Sequence, residues 1–369
     1  MATSDKEFAI VVFGASGFTG QFVVREVAKN CKGKFKWAVA GRSKDKLEKV
    51  LQETASELGQ YVGDVGVMVA NCSDEASLST MCSSAKIVLN CVGPYRFYGE
   101  PVVKAAVENG CHHLDISGEP EFLETMQHKY HDKAVCAGVH VVGTCGFDSI
   151  PADMGVVFTQ ESFPGELCHL ESFLTLHSGP KGSKGHYGTY QSIIYGIASD
   201  REGNLKKLRK ELFPTPMPKF GPKLARRFVT FVILLMGITY GYKYRFYGEP
   251  VVKAAVENGC HHLDISGEPE FSQHPKFFSC GFFSHEGPTR EQVRCLITYV
   301  AAENGYNKAG YVATPICMVQ AAMVILEETL PNSGGVLTPA AAFTGTSLID
   351  RLNENGVMFS VLSCKESEK

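Results

Sequence analysis

The chain lacks the features that mark several protein classes. It has 36 Lys and Arg against 39 Asp and Glu, and so lacks the basic excess of nucleic-acid-binding domains. Its 13 cysteines include no Cys-x-x-Cys pair and no regular zinc-ligand spacing. The segment MATSDKEF contains no apolar signal-peptide core. We therefore expect no nucleic-acid partner, no metal site, and reduced thiols in a cytosolic setting.

The apolar run FVTFVILLMGITYGY, residues 228–242, is shorter than a bilayer span, which needs about 20 residues. The basic residues before it, Lys223, Arg226 and Arg227, suit an anchor that lies in the membrane interface and faces anionic lipid. A buried core segment explains the run equally well. Both interpretations stay open.

Short apolar runs alternate with helical patterns as far as residue 142. The runs are 8–13, 37–40, 65–69, 87–92, 113–116 and 139–142. We read 65–69 as a strand buried like the first one. Such alternation predicts an α/β fold with a doubly wound parallel sheet of the Rossmann type. After Pro151 the pattern changes, and residues 170–176 alternate like a half-exposed antiparallel strand.

This change of pattern predicts that residues 1–155 form the Rossmann domain and that a second, smaller domain, which includes the apolar run, begins after it.

A glycine loop directly follows the first strand. Its residues are Gly14, Ala15, Ser16, Gly17, Phe18, Thr19 and Gly20. Glycines in this place permit a tight turn and a close approach of the backbone to a diphosphate, which the N-terminus of the next helix attracts. The loop therefore predicts a dinucleotide site.

The end of the second strand indicates which dinucleotide is bound. NAD sites place a carboxylate there to accept hydrogen bonds from the ribose. This chain has Arg42 and Ser43, followed by Lys44 and Lys46, which suit a 2′-phosphate. NADP(H) is therefore favoured over NAD(H).

Further candidates follow the later strands. Gly93, Pro94 and Tyr95 come after strand four, where doubly wound sheets form their ligand crevice, and we expect them near the nicotinamide ribose. Polar residues of a candidate substrate site follow strands five and six, although caps of helices and turns explain them equally well. These residues are Asp115, Ser117, Glu119, Phe147 and Asp148.

No catalytic acid can be assigned. A Tyr-x-x-x-Lys pair, the usual acid of short-chain dehydrogenases, is missing after strands four and five. The glycine-rich segment 179–192 contributes Lys184, His186 and Tyr187 as candidates for acid–base chemistry. His112 and His113 stand beside a strand, and we interpret them as structural.

One segment occurs twice without a difference. YRFYGEPVVKAAVENGCHHLDISGEPEF fills residues 95–122 and again 244–271. Structural repeats diverge, so this identity indicates a recent exon duplication or a gene-model artefact. Only the first copy stands between a strand and a helix that continue the sheet. We predict that the second is an insertion without a function of its own.

The motifs GASGFTG, AGRS, NCVGPYRFYGEP, DISGEPEF and GFDSIPAD occur in this order. Together they resemble the saccharopine dehydrogenase-like oxidoreductases of animals, over residues 8–227 and again in 278–289, 310–323 and 334–362. The resemblance implies a Rossmann domain, an inserted α/β (α+β) domain of substrate type at residues 156–309, and a C-terminal segment at residues 310–369 that packs back on the first domain. It also implies association with lipid droplets and membranes. Relative to that family, the chain looks shortened after Arg227 and between Asn304 and Gly310.

This resemblance implies an NADP(H)-dependent oxidoreductase that acts on a lipid or glycolipid-pathway intermediate at a membrane or lipid-droplet surface. One alternative is a saccharopine-type amino-acid dehydrogenase, although residues 165–195 hold no arginine cluster for carboxylates. Another is a catalytically inactive nucleotide-binding lipid-droplet protein. We expect a small-molecule or lipid substrate and a location on the cytosolic face of a droplet or membrane, with the mitochondrion as an alternative. Self-association into a homo-oligomer is a further option.

Overall fold

A computed structural model describes residues 6–31, 33–59, 62–163, 170–175, 186–214, 231–233, 238–240, 278–285, 292–299 and 309–365. The backbone divides into two compact units, both discontinuous in sequence. The first consists of Met1–Phe147, His186–Pro214 and Thr314–Thr338, and the second of Asp148–Gly185, Thr215–Ala313 and Pro339–Lys369. The three-segment division inferred from the sequence stays a prediction.

Strands and helices alternate through the first part of the chain. The strands are β1 (Phe8–Phe13), β2 (Trp37–Gly41), β3 (Gly66–Val69), β4 (Ala85–Asn90), β5 (His112–Asp115), β6 (His140–Val142), β7 (Leu170–Thr175), β8 (Phe231–Ile233), β9 (Ile238–Tyr240), β10 (Phe278–His285), β11 (Gln292–Tyr299), β12 (Gly335–Leu337) and β13 (Val357–Lys365). The helices are α1 (Phe18–Cys31), α2 (Lys44–Leu58), α3 (Glu75–Ser84), α4 (Tyr95–Glu108), α5 (Pro120–Ala137), α6 (Ile150–Ser162), α7 (Tyr187–Glu202), α8 (Asn204–Leu212), α9 (Ala309–Glu327), α10 (Pro339–Phe343) and α11 (Leu348–Glu354).

Seven parallel strands form the sheet of the first unit, in the order β12-β6-β5-β4-β1-β2-β3. β1 is central, with Ile10 opposite Trp37 of β2 on one side and Ile87 of β4 on the other. All six residues of β1 are buried, as expected for a parallel strand covered on both faces. The predicted doubly wound Rossmann-type sheet is confirmed. Its winding reverses between β1 and β4, which is where such sheets bind ligands.

Apolar side chains join this sheet to its helices in two clusters. One links the strands to α3 and α4 through Val88, Leu78 and Val102. The other links α4 and α5 to β6 and β12 and includes Val103 and Val141. Burying one side chain of this kind stabilises a fold by about 1.5–3 kcal/mol. Because α4 contributes neighbouring residues to both clusters, its start is held firmly beside the end of β4.

The sequence-based interpretation of β3 as a fully buried strand is wrong. Residues Gly66–Val69 are half-buried to exposed, and Val69 is 60% exposed. The reason is the strand order: β3 lies at the edge of the sheet and pairs with β2 alone. A run of apolar residues does not reveal whether a strand has one neighbour or two.

Helix α4 begins earlier than the sequence pattern indicates. Pro101 suggests a helix start at that residue, but the helix begins at Tyr95 and contains Pro101 in its interior. Its first N–H groups, those of Tyr95 and Arg96, donate to the carboxylate of Glu119. A cap from a distant part of the chain therefore sets this helix start.

The second unit contains a four-stranded antiparallel sheet in the order β13-β11-β10-β7. The antiparallel strand predicted at 170–176 is confirmed as β7, in which Thr175 lies opposite Ser279 of β10. In the same unit the buried Asp153 of α6 accepts a hydrogen bond from Ala340 N at 2.7 Å. This carboxylate therefore caps the start of α10.

The apolar run at 228–242 is described only in part. Phe231–Ile233 and Ile238–Tyr240 form β8 and β9, an antiparallel pair. Among the helices that the structure describes, none has the length and apolar character to cross a bilayer. The second copy of the repeat, residues 244–271, and the candidate Lys184 lie outside the described residues.

Candidate functional site

The turn after β1 requires glycine because it passes close to neighbouring strands. Gly14 has φ of +81°, in the left-handed region that glycine favours. Its N–H donates to Ala40 O of β2 at 2.9 Å. A Cβ built on Gly14 would lie 2.8 Å from Val92 Cγ2, just after β4. The chain thus leaves β1 in a tight turn over the ends of β2 and β4.

The start of α1 packs on this turn. A Cβ on Gly20 would overlap with the carbonyl oxygen of Gly14, and one on Gly17 would lie 3.1 Å from it. Within the described residues, no backbone acceptor pairs with the N–H groups of Ser16 and Thr19. These glycines form a cradle lined by N–H groups at the positive end of a helix dipole. This geometry fits a diphosphate.

The remaining loop residues differ in exposure. Ala15 is fully buried, and its N–H also donates to Ala40 O, at 3.3 Å. Phe18, the first residue of α1, is 41% exposed. Its ring stacks on that of His186, with centroids 4.3 Å apart and an interplanar angle of 12°. His186 directly precedes α7, so a residue far along the chain covers part of the loop.

The end of β2 presents a cation instead of a carboxylate. Arg42 is exposed, and in the described chain no carboxylate forms an ion pair with it. Ser43 occupies the N-cap position of α2, but its side chain makes no capping hydrogen bond. Burial raises the pKa of Cys72, and a backbone hydrogen bond and the charge of Arg42 oppose the rise. The end of β2 therefore carries an exposed cation next to a hydroxyl that caps no N–H, a combination that suits a phosphate.

The segment between β4 and α4 is held by Tyr95. The Gly93-Pro94 peptide bond is cis. Tyr95 is buried, and its hydroxyl donates to Asn90 O at 2.8 Å. Burial, and then the charge of Asp115, raises the pKa of Tyr95 well above its ordinary value. The phenol therefore stays protonated and ties the start of α4 to the end of β4.

Glu119 is fully engaged with the protein. Its Oε1 accepts hydrogen bonds from Tyr95 N at 3.0 Å and from Ser192 Oγ at 3.1 Å. Its Oε2 accepts one from Arg96 N at 3.0 Å. Ser117 Oγ in turn accepts the N–H of Glu119 at 3.1 Å. Glu119 thus caps α4 and connects it to α7.

Asp115 joins the loops that follow β5 and β6. Its Oδ1 accepts hydrogen bonds from Ser117 N at 2.9 Å and from Thr144 N at 3.2 Å. Thr144 has φ of +58°, which is uncommon for a β-branched residue. Burial raises the pKa of Asp115 to about 7, and these two hydrogen bonds oppose that rise. A buried carboxyl that is about half protonated at pH 7 therefore holds a strained turn at the edge of the sheet.

His113 faces this carboxyl as a neutral ring. Asn90 Oδ1 accepts the N–H of Val92 at 3.0 Å, so the amide nitrogen of Asn90 faces His113 Nε2, at 3.3 Å. An amide nitrogen only donates, so Nε2 accepts and the ring proton lies on Nδ1. His113 Nδ1 is 3.9 Å from Asp115 Oδ2. Burial lowers the pKa of His113 to about 3, so the ring stays uncharged beside Asp115.

The other sequence candidates lie elsewhere. Phe147 N donates to Thr314 Oγ1 of α9 at 3.2 Å, within the first unit. Asp148 belongs to the second unit, where it is exposed and accepts a hydrogen bond from Ser149 Oγ at 3.4 Å. His112 accepts the N–H of His140 on Nδ1 at 3.0 Å. Because His112 is the first residue of β5, it lies at the opposite end of the strand from Asp115.

Sequence reasoning missed several residues of this edge. Asn90 ends a buried strand, and a polar residue closing an apolar run was an available signal for it. Arg96 donates to Tyr195 O at 3.2 Å, and its guanidinium lies 5.2 Å from the centroid of the Tyr195 ring. Ser192 meets Glu119 across 73 residues. No pattern in the sequence links Ser192 to that carboxylate.

A small pocket lies between α4, α5, α7 and α8, and Arg96, Glu121, Ser199 and Leu205 are on its wall. Arg96 and Glu121, on its wall, form an ion pair at 3.7 Å. Ser199, also on the wall, donates to Glu121. Over the described part of the chain, no three His, Cys, Asp or Glu residues are grouped as a metal site would require.

Comparison with known families identifies the nucleotide. The model of the saccharopine dehydrogenase NADP binding domain matches residues 10–142. This range contains the glycine cradle, Arg42 and the ends of β4 and β5. The predicted cofactor, NADP(H), is confirmed.

Relatives extend over the whole chain. It is 44% identical to a human protein named saccharopine dehydrogenase-like oxidoreductase, over 99% of this chain and 100% of the relative. It is 33% identical to a lipid droplet localized protein of Caenorhabditis elegans, over 96% and 98%. It is 28% identical to a trans-acting enoyl reductase of Mycobacterium ulcerans, over 98% and 99%. The human alignment extends over 430 residues, so that relative has segments that these 369 residues lack.

A solved structure supports the same fold. The apo saccharopine dehydrogenase (L-Glu forming) of Saccharomyces cerevisiae superimposes with a TM-score of 0.54 at 11% identity. The match covers 96% of this chain and 100% of the yeast chain. At this low identity the likeness concerns the fold alone.

Proposed function

This chain belongs to the saccharopine dehydrogenase-like oxidoreductases, and we propose that it uses NADPH to reduce a lipid or glycolipid-pathway intermediate at a membrane or lipid-droplet surface. The single observation that carries the proposal is the glycine cradle at the start of α1 with Arg42 beside it. Family membership supports oxidoreduction as the reaction class. The lipid substrate rests on the arguments that follow.

The proposed cofactor site runs along the ends of the central strands. The loop from Gly14 to Gly20 would hold the diphosphate, since its glycines leave room for the backbone to approach it. Arg42 and Ser43 would bind the 2′-phosphate. Among the described residues Arg42 has no carboxylate partner, so its charge is available for the phosphate. Gly93, Pro94 and Tyr95 would line the nicotinamide side.

NADPH held by these residues would supply a hydride. The carbon–carbon double bond of an acyl chain would become a single bond by taking up that hydride on one carbon and a proton from water on the other. The protein's part is to orient the two reactants and exclude water. The side-chain oxygens of Asp115, Ser117 and Glu119 accept hydrogen bonds from backbone N–H groups at this edge. These bonds support a role in positioning the loops around the nicotinamide.

A lipid substrate is supported by relatives and by charge. One relative is named an enoyl reductase and another a lipid droplet localized protein. An amino-acid substrate such as saccharopine would need cations for its carboxylates. In the described residues, Arg96 pairs with Glu121 at 3.7 Å and Arg209 pairs with Glu124 at 2.6 Å. Both cations are thus already neutralised, which favours the lipid.

The test is a turnover assay with the purified full-length chain. A phospholipid with an α,β-unsaturated acyl chain would be presented on phospholipid-coated triacylglycerol droplets together with NADPH. The matched control is the same phospholipid with a saturated chain. Saccharopine with NADP⁺ forms a separate arm. Loss of NADPH absorbance measures turnover, and flotation of the protein with the droplets measures surface association.

We expect NADPH oxidation only with the unsaturated lipid and co-flotation with the droplets. Reduction of NADP⁺ by saccharopine would replace the proposal with an amino-acid dehydrogenase. Binding of NADPH without turnover in any arm would instead identify a nucleotide-binding droplet protein. Turnover without flotation would show that the reaction does not require binding to a droplet surface, and that part of the proposal would fail.

A further inference from the structure

His186 lies against the glycine loop, Gly14 to Gly20, although it is far from that loop in sequence. Its ring lies flat on that of Phe18, with centroids 4.3 Å apart and planes within 12° of parallel. Phe18 is the first residue of α1, whose N-terminal turn forms the phosphate cradle. The stack therefore places the His186 imidazole against Phe18, a residue of the same turn whose N–H groups would face the diphosphate.

The local backbone fixes the tautomer of this imidazole. His186 occupies the N-cap position of α7, and its Nδ1 accepts the N–H of Gly188 at 3.2 Å. A ring nitrogen that accepts carries no proton, so the proton of the neutral ring lies on Nε2. The Nε2–H of the His186 ring is therefore a hydrogen-bond donor. The stack on Phe18 and the capping hydrogen bond at the start of α7 both help to fix the position of this ring.

The charge around this contact favours an anion. The first turns of α1 and α7 contain no acidic residue. Each helix start therefore carries the positive end of its dipole without a neighbouring carboxylate on that turn. The stack of Phe18 on His186 brings these two positive ends together beside the cradle.

We propose that His186 is a cofactor-binding residue, which donates from Nε2 to the diphosphate of NADP(H) and docks the start of α7 on the bound nucleotide. The site thus gains a second wall from a segment outside the matched residues 10–142. This inference rests on NADP(H) binding at the glycine cradle. It does not depend on which substrate is reduced.

The test compares two ligands and two variants of the full-length chain. NADPH carries both the 2′-phosphate and the diphosphate, whereas adenosine 2′-phosphate lacks the diphosphate. His186→Asn removes the ring but keeps a good N-cap for α7. Tyr190→Leu is the matched control, because Tyr190 lies in the first turn of the same helix and is 38% exposed. Calorimetry gives the Kd of each ligand, and thermal unfolding gives Tm.

Loss of one charge-assisted hydrogen bond should weaken NADPH binding to His186→Asn about tenfold. The Kd for adenosine 2′-phosphate and the Tm should stay as in the unaltered chain, and Tyr190→Leu should change neither Kd. Unchanged NADPH binding in His186→Asn overturns the inference, and so does an equal loss for both ligands. If the unaltered chain fails to bind NADPH, the proposed function itself fails, which is a different result.

Discussion

The glycine cradle and the polar edge at the ends of β4 and β5 are built from contacts of very different range. In the cradle, Gly17 and Gly20 both pack closely on Gly14, which lies three and six residues before them. At the edge, Glu119 meets Tyr95 across 24 residues and Ser192 across 73. The contacts among the glycines of the cradle thus join residues that are close in sequence. The edge forms only after the sheet and α7 have assembled, so its residues should affect stability before they affect binding.

The largest expected effect comes from the cradle. Gly20→Ala places a methyl group on the carbonyl oxygen of Gly14, so we expect at least a 100-fold loss of NADPH affinity, roughly 2.7 kcal/mol, together with a lower Tm. Gly17→Ala should be milder, because its Cβ would lie 3.1 Å from that oxygen. The control is Gly196→Ala in α7, where an added Cβ has no atom within 4 Å. Because Ala favours helix more than Gly does, this change should raise the stability of α7. Normal NADPH affinity in Gly20→Ala would contradict the cradle.

Arg42→Asp should change which nucleotide is preferred. We expect NADPH affinity to fall by about 10- to 100-fold, since a hydrogen bond to a charged group contributes about 1.5–3 kcal/mol. NADH has no 2′-phosphate, and its affinity should change by less than about threefold. Lys49→Asp makes the same charge change on the exposed face of α2 and should affect neither ligand. Equal losses for NADPH and NADH would remove Arg42 from the site.

At the edge, Glu119→Gln should lower the free energy of unfolding by about 1–3 kcal/mol. The carboxylate accepts hydrogen bonds from Tyr95, Arg96 and Ser192, and an amide has one acceptor oxygen for them. The matched change is Asp74→Asn, which alters the local cap of α3. Asn caps helices as well as Asp, so we expect little effect there. Urea titrations of the two variants measure this contrast between a distant cap and a local one.

The last expected effect appears only as a pH dependence, to which Asp115 contributes. Its pKa is about 7 in the folded chain against 3.8 as the ordinary value, so the folded state binds the proton more tightly. Stability should therefore fall as pH rises from about 4 to about 7 and change little above that. Asp115→Asn lacks this titration, so its stability relative to the parent should rise by about 2–3 kcal/mol between about pH 5 and pH 8. Parallel stability curves for the parent and the variant would show that Asp115 does not titrate in this range.

Patterns that depend on neighbouring residues were readable from the sequence. The apolar run at 8–13 is the central strand, and Gly14 adopts the positive φ that a tight turn requires. Arg42 follows β2 at the place where NAD sites carry a carboxylate. The same reasoning was wrong about the burial of β3, since burial depends on a neighbouring strand that the run itself does not specify.

Contacts between distant residues were not readable. Asn90 appears in the sequence as the polar end of an apolar strand, and His113 and Asp115 as polar residues of a short mixed strand. Pairing of β4 with β5 sets Asn90 opposite Asp115 and brings the Asn90 amide within hydrogen-bonding distance of His113, whose Nδ1 lies 3.9 Å from Asp115 Oδ2. His186 was a candidate acid in a glycine-rich segment, whereas the fold stacks it on Phe18.

By itself the sequence determined the alternation of strands and helices, the glycine loop and the cation beside it. Each of these follows from hydrophobic periodicity or from the steric needs of a few adjacent residues. Only the tertiary structure decided that β3 lies at an edge, that Glu119 caps α4, and that His186 covers the nucleotide loop. Strand order and the docking of α7 bring these residues together, and both depend on packing across many residues, which no local pattern encodes.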